Sequence, residues 1–159
     1  LIRAIGKQMG RDVEIKNMGF DALIPAINSG NIDVVASGMS ITEERKKAVT
    51  FSDPYYKASQ RLVTLADDTA FDACKDAASV EEVLKGLSAS DKIGGQQGTT
   101  AQYFVEGSDD WGFEGLPAEW VPYKSASLAV QDMINGNVKY VIIDAAPAES
   151  ITKAINAMQ

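Results

Sequence analysis

The chain opens on a helical spacing. Leu1, Ile5 and Met9 recur every fourth residue, which lines one face of a helix, and Gly10 follows them as a C-terminal stop. No capping residue precedes Leu1, so the chain is expected to begin inside a helix, with an N-terminal segment missing ahead of it. Val13-Glu14-Ile15 alternates as a short strand does. Asp21 is then expected to cap a helix that turns Leu23, Ile24 and Ile27 inward, with Pro25 early enough to cost little and Gly30 closing the end. Ile32-Asp33-Val34-Val35-Ala36 follows directly and reads as a strand. A helix feeding a short, nearly all-apolar strand is what a parallel sheet covered on both faces requires, which predicts an α/β fold.

The arrangement recurs in the other half of the chain. Ile134-Asn135-Gly136-Asn137-Val138 precedes the apolar run Tyr140-Val141-Ile142-Ile143 much as Ile27-Asn28-Ser29-Gly30-Asn31-Ile32 precedes the first strand. Either helix-turn-strand punctuation has recurred by chance, or two lobes are built alike. In open α/β sheets ligands sit beyond the carboxyl ends of the strands. That marks Ser37-Gly38-Met39-Ser40 in one copy and Asp144-Ala145-Ala146-Pro147 in the other, two loops expected to face one cleft. Between the copies, Gln60-Arg61-Leu62-Val63-Thr64-Leu65 reads as a strand leading into Asp67-Asp68-Thr69, where the chain is expected to cross between lobes. Ser79-Val80-Glu81-Glu82 has capping-box spacing, Lys92-Ile93-Gly94-Gly95 is a strand, and Thr99 or Thr100 opens a helix through Val105. Residues 107–117 form an acidic, glycine-bearing loop flanked by Trp111 and Trp120, which either anchor it on the lobe or stack on a ligand.

Composition narrows the function. With 45% hydrophobic and 23% charged residues the 159-residue chain can bury a core, and a formal charge of -7 would repel a nucleic-acid backbone over most of the surface. The apolar runs are strand-length, far below the roughly 20 residues that span a bilayer. Cys74 is the one cysteine and histidine is absent, so the usual zinc sites cannot be assembled, and Cys74 reads as a small loop residue. No cofactor is expected.

Four places carry candidate chemistry. Thr42-Glu43-Glu44-Arg45 starts a helix with two acids at the positive end of its dipole, where Arg45 is out of place. Arg45 calls for an anion: a ligand carboxylate held by its planar fork, or a surface salt bridge to Glu43, Glu44 or Asp53. Ser40 can cap that helix or donate to the same carboxylate, and Gly38 allows close backbone approach or simply turns the chain. Gln96-Gln97-Gly98-Thr99-Thr100 joins a strand to a helix start and is either a second anion cradle or an ordinary cap; it lacks the spacing and lysine of a nucleotide P-loop. Asp144 ends an apolar run, where a carboxylate must reach a cation or water: an ammonium group, or an N-cap role for the helix at Pro147-Ala148-Glu149. Paired with Arg45 it suggests a zwitterion.

Gly38-Met39-Ser40-Ile41-Thr42-Glu43-Glu44-Arg45, then Phe51-Ser52-Asp53-Pro54-Tyr55-Tyr56, then Gly98-Thr99-Thr100, then Asp144, in this order and spacing, resemble the polar-amino-acid class of bacterial periplasmic solute-binding proteins over nearly the whole chain. The resemblance implies a periplasmic-binding-protein-like fold of two α/β lobes with a hinge, the first lobe incomplete. Residues 1–65 would be that partial lobe with the first hinge strand, and residues 66–159 the second lobe, lacking its return strand. It implies that Arg45, Ser40 and the backbone or hydroxyl groups of Thr99 and Thr100 hold the α-carboxylate of a free L-amino acid, polar or cationic. Asp144 and the Gly38 carbonyl would hold its ammonium group, and Ser37 and Gln96 would touch ligand, Gln96 facing the side chain. The implied partner is the membrane permease of an ABC transporter, which recognises the closed state, and the implied location is periplasmic or extracellular and lipid-anchored.

The family runs longer at both ends, so an exposed sheet edge is expected to favour dimerisation or strand exchange. Two alternatives share the scaffold: an amino-acid-sensing receptor domain, and a dehydratase-type enzyme. The enzyme would need a general acid, for which Asp144 or Glu149 is on offer, and no nucleophile-base pair is visible.

Overall fold

The computed structural model describes residues 1–158, and the chain divides into two compact units, Leu1–Tyr56 and Lys57–Gln159. The division falls between Tyr56 and Lys57 and not between 65 and 66, so the expected crossing at Asp67–Thr69 lies inside the second unit.

The first unit holds three short helices, α1 (Ile2–Gln8), α2 (Leu23–Asn28) and α3 (Glu43–Lys46), with a 3-10 turn at Phe20–Ala22. Gly10, at φ 64°, turns the chain out of α1 while the Arg11 N–H returns to the Gly6 carbonyl at 2.8 Å. Gly30 ends α2 the same way, at φ 74°, with Asn31 N–H on the Ala26 carbonyl at 3.0 Å. These are glycine-centred stops in which the left-handed residue lets two orphan carbonyls be met. Asp21 lies within the 3-10 turn and does not cap α2, whose N-cap is Ala22 with no side-chain bond. Val13–Ile15 and Ile32–Ala36 form no strands among the described residues. A strand requires a neighbour to take its backbone groups, and apolar patterning alone cannot supply one.

The second unit is a four-stranded sheet covered on both faces. Its strands are β1 (Gln60–Val63), β2 (Lys92–Gln96), β3 (Glu119–Tyr123) and β4 (Tyr140–Asp144), in the order β1-β4-β2-β3. β2 runs parallel to β3 and β4, and β1 runs antiparallel to β4 with Gln60 opposite Asp144. The helices are α4 (Ala77–Lys85), α5 (Thr100–Glu106), α6 (Ala126–Ile134) and α7 (Ala145–Asn156). Strand alternation makes β4 the spine of two cores. Val141 and Ile143 pack with Val130, Met133 and Ala148 of α6 and α7, while Tyr140 and Ile142 pack with Leu84, Ile93, Val105 and Trp120. Each fully buried aliphatic side chain contributes about 1.5–3 kcal/mol.

α6 ends on the same stop as α1 and α2, with Gly136 at φ 80° and Asn137 N–H on the Asp132 carbonyl at 3.0 Å. The likeness between the two Asn-Gly segments therefore has a local cause: both are helix stops. α4 starts earlier than expected, because Asp76 is its cap; Ser79 N–H donates to the Asp76 carboxylate at 2.8 Å and the Asp76 N–H donates back to the Ser79 hydroxyl at 3.1 Å. The loop at residues 107–117 is anchored on the unit. Trp111 stacks on Phe113 at 5.9 Å and Phe104 meets Phe113 edge-on at 5.3 Å, while Trp120 is buried on β3. Cys74 is half-buried outside helix and strand.

Candidate functional site

In the second unit the chain leaves β2 for β3 on one side, then returns past β2 to β4 on the other. The carboxyl ends of β2 and β4 are thus a topological switch point, where open α/β sheets bind ligands. Gln96 ends β2 and Asp144 ends β4; antiparallel β1 begins at the same edge with Gln60.

Asp144 occupies the N-cap position of α7, yet its carboxylate makes no cap bond. Its Oδ1 accepts instead from Gln60 Nε2 at 2.5 Å. Burial raises the pKa of this carboxyl above its ordinary value, and the Gln60 bond opposes the rise. The same Gln60 nitrogen donates to Thr100 Oγ1 at 3.1 Å, so one amide ties the end of β4 to the start of α5.

The loop between β2 and α5 satisfies itself more than its sequence suggests. The Thr99 hydroxyl donates to the Gln96 carbonyl at 2.7 Å, Gly98 N–H (φ 77°) donates to Gln102 Oε1 at 2.9 Å, and Gln96 Nε2 reaches the Lys124 carbonyl at 3.3 Å. Thr99 is the N-cap of α5 without a side-chain cap bond. The anion cradle expected from Gly98 is accordingly narrower, since that N–H already has a partner.

In the first unit Thr42 caps α3, its Oγ1 accepting from Arg45 N–H at 3.0 Å. Ser40 does not take that role. The Arg45 side chain turns back over the loop before the helix, with Nη1 donating to the Ser40 carbonyl at 2.8 Å and the guanidinium lying 5.4 Å from the centre of the Phe20 ring. Arg45 is 5% exposed, so it is no solvent-screened surface residue. A guanidinium held on a carbonyl and an aromatic face has little freedom left. The Tyr55 hydroxyl donates to the Ser37 carbonyl at 2.6 Å, so Ser37–Ser40 is pinned from both ends; Gly38 between them is exposed.

Arg45, Ser40 and Ser37 thus share one loop-helix corner, and Thr100 and Asp144 share another through Gln60; Gln96 and Thr99 bond to each other beside it. The bonding roles of Gln60 and Phe20, and the capping role of Thr42 at its helix start, are not read from the sequence. Thr42 sits at N-cap spacing and was legible in principle; Gln60 and Phe20 act through partners remote in the chain, with no local signal. Among the described residues no group of three or more His, Cys, Asp or Glu stands where it could hold a metal, and no helix is long and apolar enough to cross a membrane.

Residues 1–141 match the family model described as bacterial extracellular solute-binding proteins, family 3. The arginine-binding extracellular protein ArtP of Bacillus subtilis is 36% identical over 114 residues, 72% of this chain and 40% of the relative. ABC transporter arginine-binding protein 1 of Escherichia coli is 34% identical over 146 residues, 92% of this chain and 52% of the relative. Among solved structures, an ancestral arginine-binding protein bound to arginine superposes with a TM-score of 0.78 at 38% identity, covering 96% of this chain and 61% of that one. The chain spans about half the length of the curated relatives it matches. A family match over most of the chain, joined to an α/β unit whose switch point carries Asp144, makes this chain a member of the bacterial extracellular solute-binding proteins, family 3.

Proposed function

We propose that the protein binds a free L-amino acid and hands it to the permease of an ABC transporter, with Arg45 holding the carboxylate and Asp144 the ammonium group. The observation that carries the reading is the Arg45 guanidinium, buried and fixed on Phe20 and the Ser40 carbonyl, as a monodentate surface pair would not be. Ser40 and Thr100 assist Arg45 at the carboxylate, with Thr99 contributing backbone. Asp144 and the Gly38 carbonyl take the ammonium group, and Ser37 and Gln96 border the ligand, Gln96 toward its side chain. Arginine is the first ligand to try, because the named relatives are arginine-binding proteins. The protein works outside the cytoplasmic membrane, as the names of its relatives and its family do, and it binds without catalysing. A second copy covers the apolar face of Leu1, Ile5 and Met9, which are 70%, 42% and 69% exposed; sedimentation showing only monomer would remove that part. The main test is titration calorimetry of the protein with the amino acids. Micromolar binding, about 8 kcal/mol, is expected for arginine. No heat and no thermal shift with any amino acid would overturn the proposal.

A further inference from the structure

We infer that Gln60 is a positioning residue that fixes the hydrogen-bond polarity of the second unit's half-site, making Thr100 a donor and Asp144 an acceptor. The inference rests on the amino-acid-binding reading only for the ligand that uses the polarity. Its basis is the pair of bonds from one nitrogen: Gln60 Nε2 reaches Asp144 Oδ1 at 2.5 Å and Thr100 Oγ1 at 3.1 Å.

A primary amide has two N–H donors and one carbonyl acceptor. Here both protons of Gln60 are committed, which settles the orientation of the amide, because the flipped rotamer would set its oxygen against a carboxylate oxygen. Two consequences follow. A hydroxyl that accepts from Gln60 turns its own proton away from Gln60, so Thr100 presents a donor, the polarity a ligand carboxylate requires. A carboxylate that accepts from Gln60 at one oxygen is favoured in its ionised form and keeps its other oxygen to accept, the polarity an ammonium group requires. Gln60 supplies no charge of its own, so it orients the acid without neutralising it. A lysine or arginine at this place would satisfy Asp144 and remove the reason for binding a cation.

Backbone geometry holds Gln60 there. It is the first residue of β1 and lies directly opposite Asp144 in the antiparallel ladder, where cross-strand side chains sit close enough to interact. Facing Asp144 from β1 is Gln60 and from α5 Thr100, neither of them ionisable. The ionisable side chains of the packed elements are Arg61 on β1, Lys92 on β2, Tyr103 and Glu106 on α5, Asp132 on α6, and Glu149 and Lys153 on α7; none is among the causes of the raised Asp144 pKa, which are burial first and then the opposing Gln60 bond.

The experiment compares wild type with Gln60→Leu and Gln60→Glu, all confirmed folded by thermal melt; residue 60 is exposed, so neither change opens the core. The first readout is the Asp144 carboxyl carbon resonance, assigned with Asp144→Asn and followed against pH without ligand. Its midpoint is expected to rise in Gln60→Leu, and to rise further in Gln60→Glu, where two facing carboxylates share a proton. Unchanged midpoints in both variants overturn the inference, whether or not the protein binds an amino acid. The second readout is affinity for L-arginine against pH. Gln60→Leu is expected to bind severalfold more weakly at the acid end of a pH series and to recover part of the loss as pH rises; an equal loss across the series would overturn the inference, because Gln60 would then act only structurally. Absence of arginine binding by wild type would sink the ligand reading and leave the titration result standing.

Discussion

Gly95→Ala isolates the packing of the second unit. A β-carbon at Gly95 would lie 2.4 Å from Trp120 Cη2 and 2.7 Å from the carbonyl oxygen of Ile142. Carbon atoms rest at about 3.5–4.0 Å, so the overlap with the indole exceeds roughly 1 Å. The indole can shift only within a packed core, and the carbonyl belongs to β4, hydrogen-bonded on both sides. Overpacking of this kind costs about 1–3 kcal/mol, and with a backbone atom in the way the upper part of that range applies. Relief of glycine's unfolded-state entropy returns about 0.5–1 kcal/mol, leaving a net loss of about 2 kcal/mol. Urea unfolding should show that loss at an unchanged slope, and Tm should fall by about 4–8 °C. Gly136→Ala is the contrast, since no heavy atom lies within 4 Å of its would-be β-carbon and its cost comes from φ 80° alone, about 1 kcal/mol. Adding Trp120→Phe to Gly95→Ala should recover part of the loss in a double-mutant cycle, because the Ile142 oxygen remains. A Gly95→Ala protein within about 0.5 kcal/mol of wild type would refute the reasoning.

Arg45→Lys keeps the charge but loses the plane that lies on Phe20, so arginine affinity measured by calorimetry should fall about 100-fold; a change within about threefold would remove the fork from the account. Asp91 is held down to about 2 first by its bond from Lys139, so its stabilisation is present above pH 3.8 and lost as pH falls toward 2. Stability measured against pH should therefore be less steep between those values in Lys139→Met, and an unchanged slope would count against that pairing. Tyr123 and Tyr140 are raised to about 12, chiefly by burial, so their unfolded forms ionise first and stability should fall from pH 10 toward 12. Tyr123→Phe, which also loses the bond to Asp132, should flatten part of that fall in alkaline urea titrations.

What the sequence disclosed was whatever a few neighbouring residues decide. The stops at Gly10, Gly30 and Gly136 follow from glycine's access to positive φ, and β4 and the start of α5 follow from apolar runs and a threonine pair. The strands expected at 13–15 and 32–36 did not form because a strand belongs to two segments at once and only one was in view. α4 begins three positions before the expected cap because Asp76 and Ser79 are both capping residues; the carboxylate is the acceptor and serine makes the return bond. For the site, Arg45 and Asp144 announced themselves as charges in the wrong local company. Gln60 could not, because nothing near it in sequence hints that it faces residue 144.

The order of the sheet also governs how the second unit can be made. β4 follows β1, β2 and β3 in the chain yet lies between β1 and β2 in the sheet, so β1 and β2 are synthesised with their facing edges bare, and both hydrophobic layers wait on Tyr140–Ile143. At roughly 5–20 residues per second the interval between Gln60 and Asp144 lasts on the order of 4–17 seconds. Nascent chains stalled before that point should be protease-sensitive and sticky, and those stalled well after it should not. The strand that joins β1 to β2 also carries the Asp144 carboxylate at its end, so docking of β4 and delivery of that group are one event.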